Sequence, residues 1–311
     1  MSIESIVSRK EVASFLERNN WTPVQAVEFG YTGYVLIIER DSEKYALKIA
    51  RNEDRVGTLS TEFQLLQYLN NTPLKSQVPE VGEWLEEVGG FLMEYLISPA
   101  PKEVRGETWL PRLAHALRRM HNAELPDMKG IPDDRPNISR SISKRFTDFF
   151  NIVLNGDDYW ISLPEAERPK LEIVRQHHQK YSTLIPDVEN ALINTRPALT
   201  HGDLAGDNIM LKPDGTLVFI DWEGARISSP LCDVACVLSY INRSEEEIER
   251  FLEEYFGSRK KLEEFLPCIQ GLHNLYRYRN CVGSLWWLNE RAETGLDVVG
   301  MAYFNRVLAE L

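Results

Sequence analysis

The sequence predicts a two-lobed α+β fold: a small antiparallel sheet carrying one helix, followed by a larger, mainly helical part. Three observations predict it. Strand-like apolar runs separated by turn residues occupy residues 22–50 and 83–96, with a single helical repeat between them. After Pro99 and Pro101 the apolar period becomes helical. At 311 residues the chain exceeds one typical core of ~100–200 residues, so two packed units are expected, 1–96 and 97–311.

Each element has its own signal. Ser8 and Glu11 form an S-x-x-E pattern before Val12, Phe15 and Leu16, so a capped helix is expected there. TPVQAVEFGYTG leads into YVLIIER, the turn-like DSEK and YALKIA (45–50), which reads as a strand, a glycine-bearing loop and a hairpin. In GTLSTEFQLLQYLNN, Leu59, Phe63, Leu66 and Leu69 recur at helical spacing. EWLEE (83–87) and GFLMEYL (90–96) supply two more strands. Beyond the prolines, Leu110, Leu113, Ala114, Leu117 and Met120 form one stripe, and 132–196 hold two or three weaker helices broken by prolines. Ser244 and Glu247 open a last helical region as a second capping box.

Composition narrows the function classes. The net charge is −12, from 47 acidic against 35 basic residues, which argues against a nucleic-acid partner. No run approaches the ~18 apolar residues needed to span a bilayer, and MSIESIVSRKEVASF lacks an apolar signal core. A cytoplasmic protein without a membrane partner is the expectation. Cys232, Cys236, Cys268 and Cys281 form no C-x-x-C pair and read as small buried hydrophobes in a reducing compartment.

The chemistry concentrates in HGDLAGDNIMLKPDGTLVFIDWEG (201–224). IML and TLVFI are short apolar strands joined by KPDG turn chemistry. If they pair, Asn208 just before the first strand and Asp221 just after the second meet at one open end. Asp203 enters the same end five residues earlier. Buried, unpaired carboxylates cost of order several kcal/mol, so paired acids here call for a partner. Oxygen-only donors suit Mg²⁺. Asp203 then remains to accept a proton from an attacking hydroxyl, the arrangement that phosphoryl transfer uses. Taken singly, each residue is also an ordinary turn or cap residue.

H-G-D-x-x-x-x-N followed by I-D-W-E resembles the aminoglycoside phosphotransferase and choline kinase family, whose members share the protein-kinase-like fold. The resemblance implies Asp203 as catalytic base, Asn208 and Asp221 as Mg²⁺ ligands, and His201 as a prop for the catalytic loop. It extends to SSPLCDVACVL, where Asp233 would hydrogen-bond the loop backbone. It implies ATP, or GTP in its place, as phosphoryl donor, and a small hydroxyl-bearing molecule as acceptor.

The first lobe supplies the complementary parts. Lys48 lies mid-strand in YALKIA, and Glu62 borders the buried stripe of the following helix, so an ion pair between them would satisfy both. FGYTGYV (29–35) sits where a phosphate-covering loop belongs, with Gly30, Thr32 and Gly33 as candidates, although it is not a full G-x-G-x-x-G. By resemblance, backbone groups of Glu94 and Leu96 would hold the adenine. No G-x-x-x-x-G-K-[ST] occurs, which excludes a P-loop enzyme. Glu223 follows Asp221 closely and could approach metal or substrate, or merely cap the chain's exit.

The acceptor is less defined. Tyr276, Tyr278, Trp286 and Trp287 could line a pocket for an ammonium group, and equally could fill a core. Amine-bearing antibiotics, amino alcohols and sugars all stay open, as does the oligomeric state. Two other functions compete: a nucleotide-binding regulator without catalysis, and a protein kinase. Against the latter, no A-P-E follows Asp221, and Asp233 lies only twelve residues on.

Overall fold

The computed structural model describes residues 3–27, 32–96, 109–204, 208–212, 214–240 and 244–290, together with 305 and 308. The expected lobe boundary at 96–97 therefore opens onto a segment, 97–108, outside the described residues. Two compact units are present. One combines 1–132, 198–227 and 244–255, and the other 133–197, 228–243 and 256–311.

The first unit begins with α1 (Ile3–Val7) and α2 (Lys10–Arg18). A five-stranded sheet follows, built from β1 (Thr22–Val27), β2 (Gly33–Arg40), β3 (Glu43–Ala50), β4 (Val81–Leu85) and β5 (Gly90–Glu94). Its order is β1-β2-β3-β5-β4, and every pairing is antiparallel. Between β3 and β4 runs α3 (Glu53–Asn70), which starts four residues before the periodic stretch. Period-two alternation sorts the sheet's side chains. Leu36, Ile38, Leu47 and Ile49 pack with Val12, Phe15, Leu16 and Trp21 on one side. On α3, Phe63 packs at 5.3 Å from the Phe91 ring and 5.8 Å from that of Trp84.

The expected capping box at Ser8 does not form. Because α1 precedes it, Ser8 closes that helix instead: its hydroxyl donates to the Ser5 carbonyl at 3.0 Å. Arg9 occupies the N-cap of α2, and its side chain meets Glu11 at 2.7 Å and the Ala50 carbonyl at 2.9 Å. The box at Ser244 forms in full. Ser244 N–H donates to Glu247 Oε2 at 3.0 Å, and Glu247 N–H to Ser244 Oγ at 3.3 Å.

The same unit holds α4 (Trp109–His121), β6 (Ala198–Thr200), β7 (Ile209–Leu211), β8 (Leu217–Phe219) and most of α9 (Glu245–Phe256). β7 and β8 pair antiparallel, with Ile209 opposite Phe219. β6 pairs with β9 (Arg226–Ser228).

The second unit contains α5 (Ile138–Phe150), α6 (Arg168–Ser182), α7 (Ile185–Leu192), α8 (Leu231–Tyr240) and α10 (Arg259–Glu290). The aromatic run on α10 divides. Tyr278 is fully buried, stacked at 4.7 Å on Tyr181 and edge-on at 4.6 Å to Phe150, with its hydroxyl donating to the Val174 carbonyl. Tyr276 is buried against Phe146. Both are core residues, while Trp286 and Trp287 are half-buried. No helix among the described residues is long and apolar enough to cross a membrane.

All four cysteines are free and buried. Burial pushes the thiols of Cys232 and Cys281 up to about 12 and that of Cys268 to about 11. The native chain should therefore leave Ellman's reagent unreacted for minutes at pH 8, whereas the denatured chain releases four equivalents. Ser244→Ala should cost about 1 kcal/mol in urea unfolding, and Ser8→Ala less than about 0.5 kcal/mol. Equal losses would contradict the two capping geometries.

Candidate active site

The site is assembled from β3, α3 and residues 200–226, all in the first unit. Leu47 and Ile49 point into the core under α1 and α2, so Lys48 between them turns to the sheet's other face. There its Nζ lies 2.8 and 2.7 Å from the two oxygens of Glu62, and 2.6 Å from Oδ1 of Asp221. Lys48 is 4% exposed and Glu62 2%. The ion pair predicted from the strand and helix patterns is present, with an additional carboxylate on the same ammonium.

Glu62 holds a second group. Its Oε1 accepts the backbone N–H of Trp222 at 3.1 Å. One helix side chain thus fixes both the sheet's lysine and the backbone after Asp221. No sequence pattern marks that N–H, because a backbone donor has no residue signature.

Asp221 itself adopts a left-handed backbone, φ 64° and ψ 65°. For a residue with a Cβ this costs of order 1–3 kcal/mol and persists only where the surroundings enforce it. The enforcement is visible on both sides. Ile220 N–H donates to the Asn208 carbonyl at 3.0 Å, and the Trp222 indole donates to the Phe219 carbonyl at 2.8 Å. Asn208 and Asp221 therefore flank the same open end of the β7–β8 hairpin. The amide nitrogen of Asn208 donates to the Asp203 carbonyl at 2.8 Å, which leaves Oδ1 as the amide's acceptor end.

His201 is fully buried and joins the loop to the strand end. Its Nδ1 accepts the N–H of Asp203 at 3.4 Å, and its Nε2 lies 2.8 Å from the Ile220 carbonyl. An acceptor at Nδ1 and a carbonyl at Nε2 together require the tautomer with its proton on Nε2. The ring packs at 4.8 Å from that of Trp222. Gly202 then turns the chain with φ +84°, and a Cβ there would lie 2.2 Å from the Gly224 carbonyl oxygen. Asp203 follows directly, its Cβ close to Gly224.

Three carboxylates gather around the lysine. Donor atoms of Glu62, Asp221 and Glu223 lie within 4.8 Å of one another. Burial works against the charge on Lys48, but Asp221 and Glu62 outweigh it and hold the ammonium above its ordinary range. Burial pushes Glu62 up, to about 7, with Asp221 acting in the same direction against the opposing pull of Lys48. Two oxygens at 2.7 and 2.8 Å from one nitrogen are the geometry of an ionised pair, so charge on both partners governs. Glu223 is also raised, first by burial and then by Asp221, with Asp203 adding a smaller push. One of its oxygens, Oε2, is buried without a hydrogen-bond partner. The cluster carries three carboxylates against one ammonium, and a hard divalent cation fits that imbalance and that oxygen donor set. Glu223, only weakly marked in the sequence, is part of it.

The remaining candidates fall as follows. Thr32 is buried and hydrogen-bonds Glu223, and its carbonyl accepts the N–H of Arg51. Gly33 opens β2 so close to β3 that a Cβ would lie 2.8 Å from the Ile49 oxygen. Gly30 lies outside the described residues. Glu94 ends β5 with its N–H donated to the Glu80 carbonyl at 2.8 Å. Its side chain forms an unanticipated two-oxygen ion pair with Lys212, at 2.8 and 2.9 Å. Leu96 is half-buried just beyond the strand. Asp233 is fully buried in the first turn of α8, in the second unit.

Gly202→Ala should destabilise the first unit by more than about 2 kcal/mol, since it adds both a left-handed Cβ and a backbone clash. Denaturant unfolding reads the loss, and a wild-type midpoint would contradict the loop geometry.

Comparison with known proteins agrees with this geometry. Protein LicA of Haemophilus influenzae is 25% identical over 187 residues, 60% of this chain and 61% of that protein. The chain thus spans about three-fifths of the length of that relative. An ethanolamine kinase of Plasmodium vivax superposes with a TM-score of 0.65 at 15% identity, covering 97% of this chain and 84% of its own. Choline kinase LicA from Streptococcus pneumoniae superposes with a TM-score of 0.57 at 18% identity, covering 99% of both chains. These likenesses establish the α+β kinase-like fold. The model of one family matches residues 24–265, most of the chain, with Lys48, Glu62 and the whole 201–224 segment inside the match, and the protein accordingly belongs to the phosphotransferase enzyme family.

Proposed function

We propose that the protein is an ATP- and Mg²⁺-dependent kinase that phosphorylates a hydroxyl group of a small molecule. The observation that carries the reading is the shared grip on Lys48. A buried lysine held by Glu62 and Asp221 lies beside an acid-rich loop, and few functions other than phosphate handling need that combination.

The roles follow from what each group can do. Lys48, charged and held from two sides, grips donor phosphates. Asn208 and Asp221 hold Mg²⁺, which when bound neutralises phosphate charge, and Glu223 adds a carboxylate next to Asp221. Asp203, fixed through its own N–H by His201 and through its carbonyl by Asn208, takes the proton of the acceptor hydroxyl. The acceptor oxygen forms the new bond to phosphorus as the bond to the nucleoside diphosphate breaks. Thr32 and Gly33 cover the phosphates, and backbone groups of Glu94 and Leu96 meet the base. The names of the similar proteins support amino alcohols of the choline and ethanolamine type as first acceptors to try, ahead of amine-bearing antibiotics and sugars.

The test is ADP release across that acceptor panel, with Mg²⁺ present and absent. Turnover on one class, lost on chelation, is expected. Asp203→Ala should lower kcat by ~10²–10⁴ while nucleotide affinity stays within a few-fold, and Lys48→Met should weaken nucleotide use itself. Tight ATP binding with no turnover on any acceptor would favour the non-catalytic regulator instead.

A further inference from the structure

A concave feature lies on the first unit between the end of α3 and α4. It is a cleft of about 560 Å³, within the size range of small-molecule sites, and Lys48, Glu62, Asp203, Asn208 and Asp221 are not among its lining residues. Its two walls differ in chemistry. One is apolar, made by Tyr68 at the end of α3 and Pro73 just beyond, over the buried Leu69 and Leu74. The other is cationic. His115, Arg118 and Arg119 sit at i, i+3 and i+4 on α4, so they share one helix face and all border the cleft.

This arrangement exceeds what helix-end electrostatics asks for. Cations near the C-terminus of a helix are ordinary and need no cavity. Here they face an apolar wall across a concave space, in a chain whose net charge is −12. Arg119 is braced across the cleft's end by a 2.8 Å bond from its guanidinium to the Pro73 carbonyl. His115 is paired with Glu254 at 3.4 Å. Arg118 is exposed, and among the described residues it has no acidic partner. Glu124 is the one acid in the lining.

We propose that this cleft binds a small amphiphilic anion: an apolar body against Tyr68 and Pro73, and a carboxylate or phosphate head on Arg118 and Arg119. A free small molecule with one anionic head matches a space of about 560 Å³ bordered by two arginines. Guanidinium groups match such a head through paired N–H donors.

Anilinonaphthalene sulfonate, an aromatic body with one anionic group, is the probe. Its fluorescence should rise saturably with the full-length protein, and octanoate should displace it while octanol does not. Arg118→Glu should raise the Kd of the probe at least tenfold. Ala123→Trp, which fills the cleft from its lining, should do the same, with unfolding midpoint and basal turnover unchanged in both variants. Unchanged probe affinity in the two variants, equal displacement by octanol, or displacement by ATP with Mg²⁺ would overturn the assignment. So would Arg118-dependent retention on phosphatidylglycerol vesicles, or on an acidic peptide, without competition from octanoate.

Discussion

A buried ammonium is the constraint around which the first unit is organised. Removing a lysine charge from water costs several kcal/mol unless close, well-directed acids replace its hydration. Lys48 receives three carboxylate oxygens, two from Glu62 and one from Asp221, and no other solution would keep that strand position charged. The requirement runs outward from there. α3 must present Glu62 to the sheet, and the segment after β8 must bring Asp221 in from 173 residues further along the chain. Breaking such a pair by deleting one partner typically costs ~3–5 kcal/mol, so sheet, helix and loop are bound to one another electrostatically as well as by packing.

The loop from His201 to Gly224 converts that constraint into a site. A buried histidine ties the Asp203 backbone to the end of β8, and Gly202 allows the chain to pass within van der Waals distance of Gly224. The left-handed Asp221 is the strained element, held by bonds before and after it. The outcome is an excess of negative charge in a partly buried place, one ammonium against Glu62, Asp221 and Glu223. Burial raises Glu62 and Glu223, and Asp221 adds to the push on both; a divalent cation would offset this excess of negative charge.

Much of this was legible in the chain. The hairpin of β7 and β8 follows from apolar period and turn chemistry, and the Lys48–Glu62 pair from the family resemblance together with the place of Glu62 beside a buried helical stripe. Local competition defeated the same reasoning elsewhere. Ser8 carried a good capping pattern, yet a preceding one-turn helix took its hydroxyl, whereas Ser244 had no such rival and capped as expected. The aromatic run on α10 was ambiguous for a different reason. A tyrosine that stacks in a core and one that lines a pocket have the same period, and only contacts such as Tyr278 with Tyr181 separate them.

What the sequence determined alone was therefore local: the strands of the first sheet, the helix between them with its apolar stripe, and the hairpin that brings Asn208 and Asp221 to one end. Tertiary structure decided the long-range partners. The Trp222 N–H on Glu62, the Glu94–Lys212 pair and the entry of Glu223 into the acidic cluster join residues with no shared period. Spacing encodes neighbours along a helix or strand because backbone geometry repeats. Contacts between distant segments depend on how whole elements pack, which no repeat in the chain records.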